Sequence, residues 1–237
     1  MSSKLKLIAL PLKAYRQTPP ITLLTLPPKT AVEANLMTKA VNWSDRQWNK
    51  LSESPEGHWK KRIWNGGEAV MDRVPYEEWA LKHIEPAHGV AVNTSHKLDI
   101  LYPESMISDK VLLDTVKESF ISRSDQHRKK MWLYLAISPV TFPVAIIPIV
   151  PNLPLFYLLW RAWSHWRAHR GANYLGQLHA NSQLQPRKSE EIDRFYQNNQ
   201  IPSLKDINTL SKILNLPAQA TLEGHRAIKQ IHHKKQQ

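Results

Sequence analysis

Thirty consecutive residues, Met131 to Trp160, carry no charged side chain, and basic clusters stand on both sides of them. The run reads MWLYLAISPVTFPVAIIPIVPNLPLFYLLW, with Arg128, Lys129 and Lys130 immediately before it and Arg161, Arg167 and Arg170 after it. Uncharged apolar runs of roughly 18 or more residues are long enough to enter the hydrocarbon core of a bilayer, which is about 30 Å thick. The remainder of the chain is polar, with a mean hydropathy of −0.45. The sequence therefore predicts contact with a membrane at this one place.

The run is not a plain spanning helix. Pro139, Pro143, Pro148, Pro151 and Pro154 interrupt it, and an interior proline removes a helical hydrogen bond and clashes with the preceding turn. Backbone groups freed in this way must be buried in protein, reach water or be satisfied locally. The expected break is Pro148–Pro154. One arrangement is a hairpin with legs near 131–147 and 155–168; another is a single kinked transmembrane segment over roughly 131–150. Lysine and arginine near membrane ends stay on the inner side. Residues 122–130 hold four Lys/Arg against one Asp, and 161–170 hold three Arg and no acid. A hairpin keeps both basic flanks on one side, so the hairpin is the favoured form. A helical pair buried in a globular core stays open, because such runs occur there too.

Net charge sharpens the choice of partner. The chain carries +12 at neutral pH, which calls for an anionic surface, either acidic lipid or nucleic acid. The absence of cysteine excludes disulfides, cysteine-ligated zinc and thiol catalysis. Met1 to Val32 lacks acids and holds Lys4, Lys6, Lys13, Arg16 and Lys29, a composition resembling a mitochondrial transit peptide. Four regions follow: a targeting or irregular segment at 1–30, a helical matrix-side region at 31–130, the membrane-inserted proline-rich segment with its aromatic-basic flank at 131–170, and a polar helical region at 171–237.

Helical signals are spread along the chain. Residues 31–64 show a helical pattern with Trp43, Trp48, Trp59 and Trp64, and Ser44-Asp45-Arg46-Gln47 forms a capping-box signature. Gly66-Gly67 punctuates that region. Pro75 followed by Glu77 and Glu78 opens another helix. Residues 85–105 look irregular. Ser108 caps a helix to about Ile121, and further helices are expected at 189–198 and, capped by Ser203, at 203–215. No strand pattern stands out, so the expected class is mainly α: a helical membrane-associated protein with one proline-broken apolar hairpin or kinked transmembrane segment.

Leu158 to Gly171, LLWRAWSHWRAHRG, gathers Trp160, Trp163 and Trp166 with Arg161, His165, Arg167 and Arg170. Tryptophan favours the lipid–water boundary and arginine suits phosphate. These seven residues, with Arg128, Lys129 and Lys130, are the expected lipid contacts, taking cardiolipin-like anionic head groups. Arg161, His165 and His169 share one helix face. His165 is either a proton-responsive group or an ordinary interfacial histidine. A nucleic-acid reading of the same alternation is the weaker alternative. Nothing calls for a cofactor, a metal or a catalytic residue, and no enzyme is expected. The uncharged run holds no ionisable group to carry ions through a bilayer.

VPYEEWALK (Val74 to Lys82), YPESMIS (Tyr102 to Ser108), HRKK (His127 to Lys130) and FPVAIIPIVPNLPLFYLLWRAWSHWRA (Phe142 to Ala168), followed by Gly171, resemble the fungal mitochondrial potassium–proton exchange-related family. The resemblance covers roughly Thr38 to Leu178. It implies an inner-membrane mitochondrial protein associated with potassium–proton exchange, and so with matrix volume and cation balance. Together with the lack of ionisable groups in the uncharged run, the expectation is an accessory or regulatory component with its bulk facing the matrix, working with other inner-membrane proteins of that system. A membrane-tethered organiser of mitochondrial gene expression, binding RNA or ribosomes, is the alternative.

Overall fold

Leu7 to Pro11 is an unbroken apolar run, and all five residues are buried. An alternating strand buries one face, whereas a continuous run buries both. This stretch belongs to β1 (Lys6–Pro11), an inner strand of a four-stranded sheet. The computed structural model describes residues 5–12, 20–26, 46, 50–84, 97–141, 153–198 and 202–233. The chain forms two compact units, one of residues 1–3 and 28–75 and the other of residues 4–27 and 76–237.

In the smaller unit, α1 (Trp59–Asp72) is capped by His58, whose Nδ1 accepts from the Lys60 amide at 3.2 Å. Gly66 and Gly67 lie inside this helix rather than ending it. Ser44, Asp45 and Gln47 of the expected capping box lie outside the described residues.

The larger unit holds the sheet, in the order β2-β1-β3-β4. β2 (Ile21–Leu26) runs antiparallel to β1, while β3 (Leu98–Tyr102) and β4 (Leu184–Lys188) are parallel to it in sequence. Pro186 is tolerated because β4 is an edge strand. Alternation decides which layer each strand residue joins. Leu7, Ala9, Ile21, Leu23 and Ile100 meet Leu81 of α2 (Tyr76–His83), Leu112 and Val116 of α3 (Asp109–Ser119), and Ala168, Ala172 and Leu175. Ile8, Leu10 and Leu24 meet the opposite layer, built from α6 (Glu190–Asn198), α7 (Leu204–Ile213) and α8 (Ala218–His233). Between α3 and β4 come a 3-10 turn at Ile121–Arg123, α4 (Ser124–Ile137) and α5 (Leu153–Ala180). The two helices α4 and α5 pack against each other. Caps at Ser108 and Ser203 fall where the sequence places them.

The mainly α, membrane-helical expectation is wrong. The sheet is mixed and is covered by helices on both faces, and no helix among the described residues is long and apolar enough to cross a membrane. The uncharged run is divided: 131–137 closes α4 and 153–160 opens α5, with Pro154 in the first turn, where proline is tolerated. The expected turn from Pro148 to Asn152 lies outside the described residues, as do 142–147. Beyond its first turns α5 is not apolar, because it carries Arg161, His165, Arg167 and Arg170 into the protein. Strands were missed at 6–11 and 21–26, which lack strict polar–apolar alternation, and at 98–102 and 184–188, inside stretches read as irregular and as polar helical.

Gly171 fixes how closely α5 approaches α2. A Cβ placed there would sit 2.1 Å from the Leu81 carbonyl oxygen, with the Ile84 carbonyl oxygen at 3.2 Å. Backbone cannot yield as a side chain does. Gly171→Ala should therefore destabilise the fold by at least ~1–3 kcal/mol, read as a lower urea midpoint; an unchanged midpoint would show that the helices separate freely.

Candidate functional site: a buried glutamate–arginine–histidine network

Seven consecutive residues of α2, Tyr76 to Lys82, are buried. A short helix enclosed on all sides has to bury its polar side chains, and each then needs a partner. Glu78 finds two on α5. Arg161 Nη1 and Nη2 donate to Glu78 Oε1 and Oε2 at 2.8 and 3.2 Å, a two-pronged pair, and Ser164 Oγ donates to Oε1 at 2.5 Å. Burial alone would raise the Glu78 carboxyl, but the hydrogen bonds and charge of Arg161 outweigh it and hold it below its ordinary value. Arg161 also lies against Tyr134 of α4, its Cζ 5.6 Å from the ring centre.

The same guanidinium reaches one turn further. Arg161 Nη2 lies 2.9 Å from His165 Nε2. A guanidinium only donates, so Nε2 accepts and the His165 proton must sit on Nδ1. That Nδ1 lies 3.0 Å from His127 Nδ1 of α4 and 3.6 Å from Glu78 Oε2. His165 thus donates to His127, and Tyr134 stacks on the His165 ring at 5.5 Å. Both imidazoles are held neutral, with values brought down to about 4: burial is the main cause, Glu78 opposes it, and neighbouring cations including Arg161 and Lys130 add to it.

Glu78, His127 and His165 present ligand atoms all within 4.8 Å of one another. The donor set nevertheless does not suit a metal. A metal-bound neutral histidine carries its proton on the other ring nitrogen and donates it to an acceptor. Here the other nitrogen, His165 Nε2, faces an obligate donor. Binding a cation at Nδ1 would require either an imidazolate or loss of the Arg161 bond. Both Glu78 oxygens are also already engaged. The network is a closed hydrogen-bonded unit tying α2, α4 and α5.

Next to it, Lys82 directs its ammonium at three indoles, 3.7 Å from the Trp79 ring centre, 5.3 Å from Trp160 and 5.7 Å from Trp163. Arg167 Nε and Nη2 donate to the Lys82 carbonyl at 3.1 and 2.8 Å, satisfying a last-turn oxygen that has no partner within the helix. The next residue of α2, His83, meets Glu223 Oε1 of α8 through its Nδ1 at 2.8 Å.

The residues expected at lipid therefore divide. Arg128, Lys129 and Lys130 are exposed, with Arg128 paired to Asp125 at 3.2 Å. Arg161 and His165 are buried against protein groups. Trp160, Trp163, Trp166, Arg167 and Arg170 are half-buried, Trp166 lying under Arg170 at 5.0 Å. Sequence reasoning missed Glu78, Lys82, His127 and Ser164. The helix face shared by Arg161 and His165 was visible, but nothing local shows that Glu78 lies opposite it.

A mixed sheet covered by helices on both faces, with an ionic network sealed beneath one of them, defines an α/β protein whose polar core is structural in geometry. Residues 6–179 match the family described as Mitochondrial K+-H+ exchange-related, and the chain belongs to that family. An uncharacterized protein of Schizosaccharomyces pombe is 28% identical over 196 residues, covering 80% of this chain and 82% of that protein. No solved structure shows a significant match. The family match starts at β1, well before the Thr38 at which the resemblance was visible. Three of the stretches that carried the resemblance, VPYEEWALK, HRKK and LLWRAWSHWRA, supply Glu78, His127, Arg161, Ser164 and His165, and so meet in this network.

The network makes stability depend on pH in one direction. The unfolded chain takes protons on these histidines below their ordinary value of 6.5, whereas the folded chain resists until about 4. Acid therefore favours unfolding across that window, and the depressed Glu78 carboxyl acts in the same sense. Below about pH 7 the stability should fall by several kcal/mol towards pH ~4 as these groups take up protons. Urea midpoints across this range check it, and His127→Phe should weaken the dependence.

Proposed function

We propose that the chain is an accessory or regulatory component of potassium–proton exchange, attached peripherally to the mitochondrial inner membrane from the matrix side. Family membership over 6–179 supports the link to exchange. The observation that carries the accessory role is the buried network, in which Glu78, Arg161, His165 and His127 bond to one another. The ionisable groups of the network are committed to one another, which leaves them poorly suited to hand ions on.

The attachment is supported by the ends of α4 and α5 next to residues 142–152. Trp132, Val140 and Phe156 are 63%, 74% and 63% exposed, and Leu133 and Leu159 are exposed beside them. Large apolar side chains concentrated in this way mark an interaction surface. Lys129 and Lys130 lie on the same helix as Trp132 and are free to meet anionic phospholipid, where each is worth about 1 kcal/mol. The gene-expression alternative has no such support, since the aromatic-basic stretch is largely packed against α2.

Mitochondria depleted of the chain should swell more slowly in potassium acetate, and the native chain should restore the rate. A Leu133→Asp/Phe156→Asp variant should fold, leave the membrane fraction and fail to restore it. Unchanged swelling on depletion would overturn the proposal; rescue by a variant released from the membrane would overturn the attachment.

A further inference from the structure

Lys82 lies at the junction of three helices, and the network does not use it. It is buried, its ammonium faces Trp79 from its own helix, and Trp160 and Trp163 reach it from α5. Arg226 of α8 also lies over the Trp79 ring, its Cζ 4.4 Å from the ring centre. Indole faces attract a cation and lose that attraction when the amine is neutral. A protonated Lys82 therefore draws the indoles of α5 towards α2, and a neutral one does not.

We propose that Lys82, caged by Trp79, Trp160 and Trp163 where α2, α5 and α8 meet, is a proton-responsive group whose charge sets how firmly α5 is held against α2. The groups facing it are Glu78 on α2, Arg161 on α5, and Glu223 and Arg226 on α8. Burial drives its ammonium down to about 7; Glu78 and Glu223 oppose the change, and Arg161 and Arg226 assist it, while the indole faces, which favour the charged form, act with the glutamates. Arg167 of α5, bonded to the Lys82 carbonyl and lying 5.5 Å from the Trp163 ring centre, and His83, paired with Glu223, border the cage as well. An ordinary lysine stays charged throughout the physiological range. This one changes state within it, and α5 feels the change through two rings. Trp163 is also adjacent to Ser164, a donor to Glu78, so the cage and the network share one turn of α5. The inference concerns the folded chain itself and does not depend on the exchange reading.

The test is a titration of the full-length chain carrying 13C at lysine Cε, followed by NMR alongside tryptophan emission. One lysine signal should titrate near neutrality, disappear in Lys82→Arg, and share its midpoint with a change in emission. Lys82→Arg, which stays charged, should fold and hold the acid-form emission through the neutral range, while Lys82→Met should lack the transition. Every lysine signal titrating in the ordinary alkaline range would overturn the inference. An emission change with the same midpoint in Lys82→Arg or Lys82→Met would overturn it too. The native titration decides the first point even where a variant does not fold.

Discussion

The buried Glu78–Arg161 pair is the interaction on which the arrangement of helices depends. Removing two charges from water costs several kcal/mol each, and geometry must return it. Here the return comes from two parallel hydrogen bonds, a third from Ser164 to the carboxylate, and His165 accepting from the same guanidinium. Because the arginine can only donate, it also fixes which nitrogen of His165 carries the proton, and so which way the His165–His127 bond runs. One cation thereby orients α2, α5 and α4 together. Gly171 permits the approach, and Arg167 completes it by capping the end of α2. The cost is sensitivity to acid, since all three titratable partners were selected in their deprotonated forms.

Much of this was legible in the sequence, for identifiable reasons. The caps at Ser108 and Ser203 and the acid-led start of α2 are local signals, and they appear where local physics puts them. A proline-broken apolar run flanked by basic residues was also real. Its interpretation failed because charge-free length is shared by membrane segments and by helices that end buried at one side. What separates them is Arg161: at the edge of the run it looks like a head-group ligand, yet its partner is a glutamate 83 residues away. β1 was misread for a related reason, since an acid-poor basic N-terminus also describes the flanks of a strand buried on both faces. Residues 6–11 and 21–26, inside the segment read as targeting or irregular, form β1 and β2.

The fold and the proposed role fit one another in physical terms. A sheet covered on both faces forms the body, and the helical pair α4/α5 exposes apolar residues such as Val140 and Phe156 beside residues 142–152. Polar groups inside that pair join it rigidly to α2 and thus to the sheet. Events at the exposed end are therefore connected to the core by hydrogen bonds rather than by a flexible tether.

The central claim is that Glu78 and Arg161 act as one unit. It is tested most directly by a double-mutant cycle of Glu78→Gln and Arg161→Met in urea unfolding. Each single change should cost ~3–5 kcal/mol because it strands a buried group, and the double should cost less than the sum by at least ~1 kcal/mol. Costs that add within about 0.5 kcal/mol would contradict the account and leave the pair as two independent core residues.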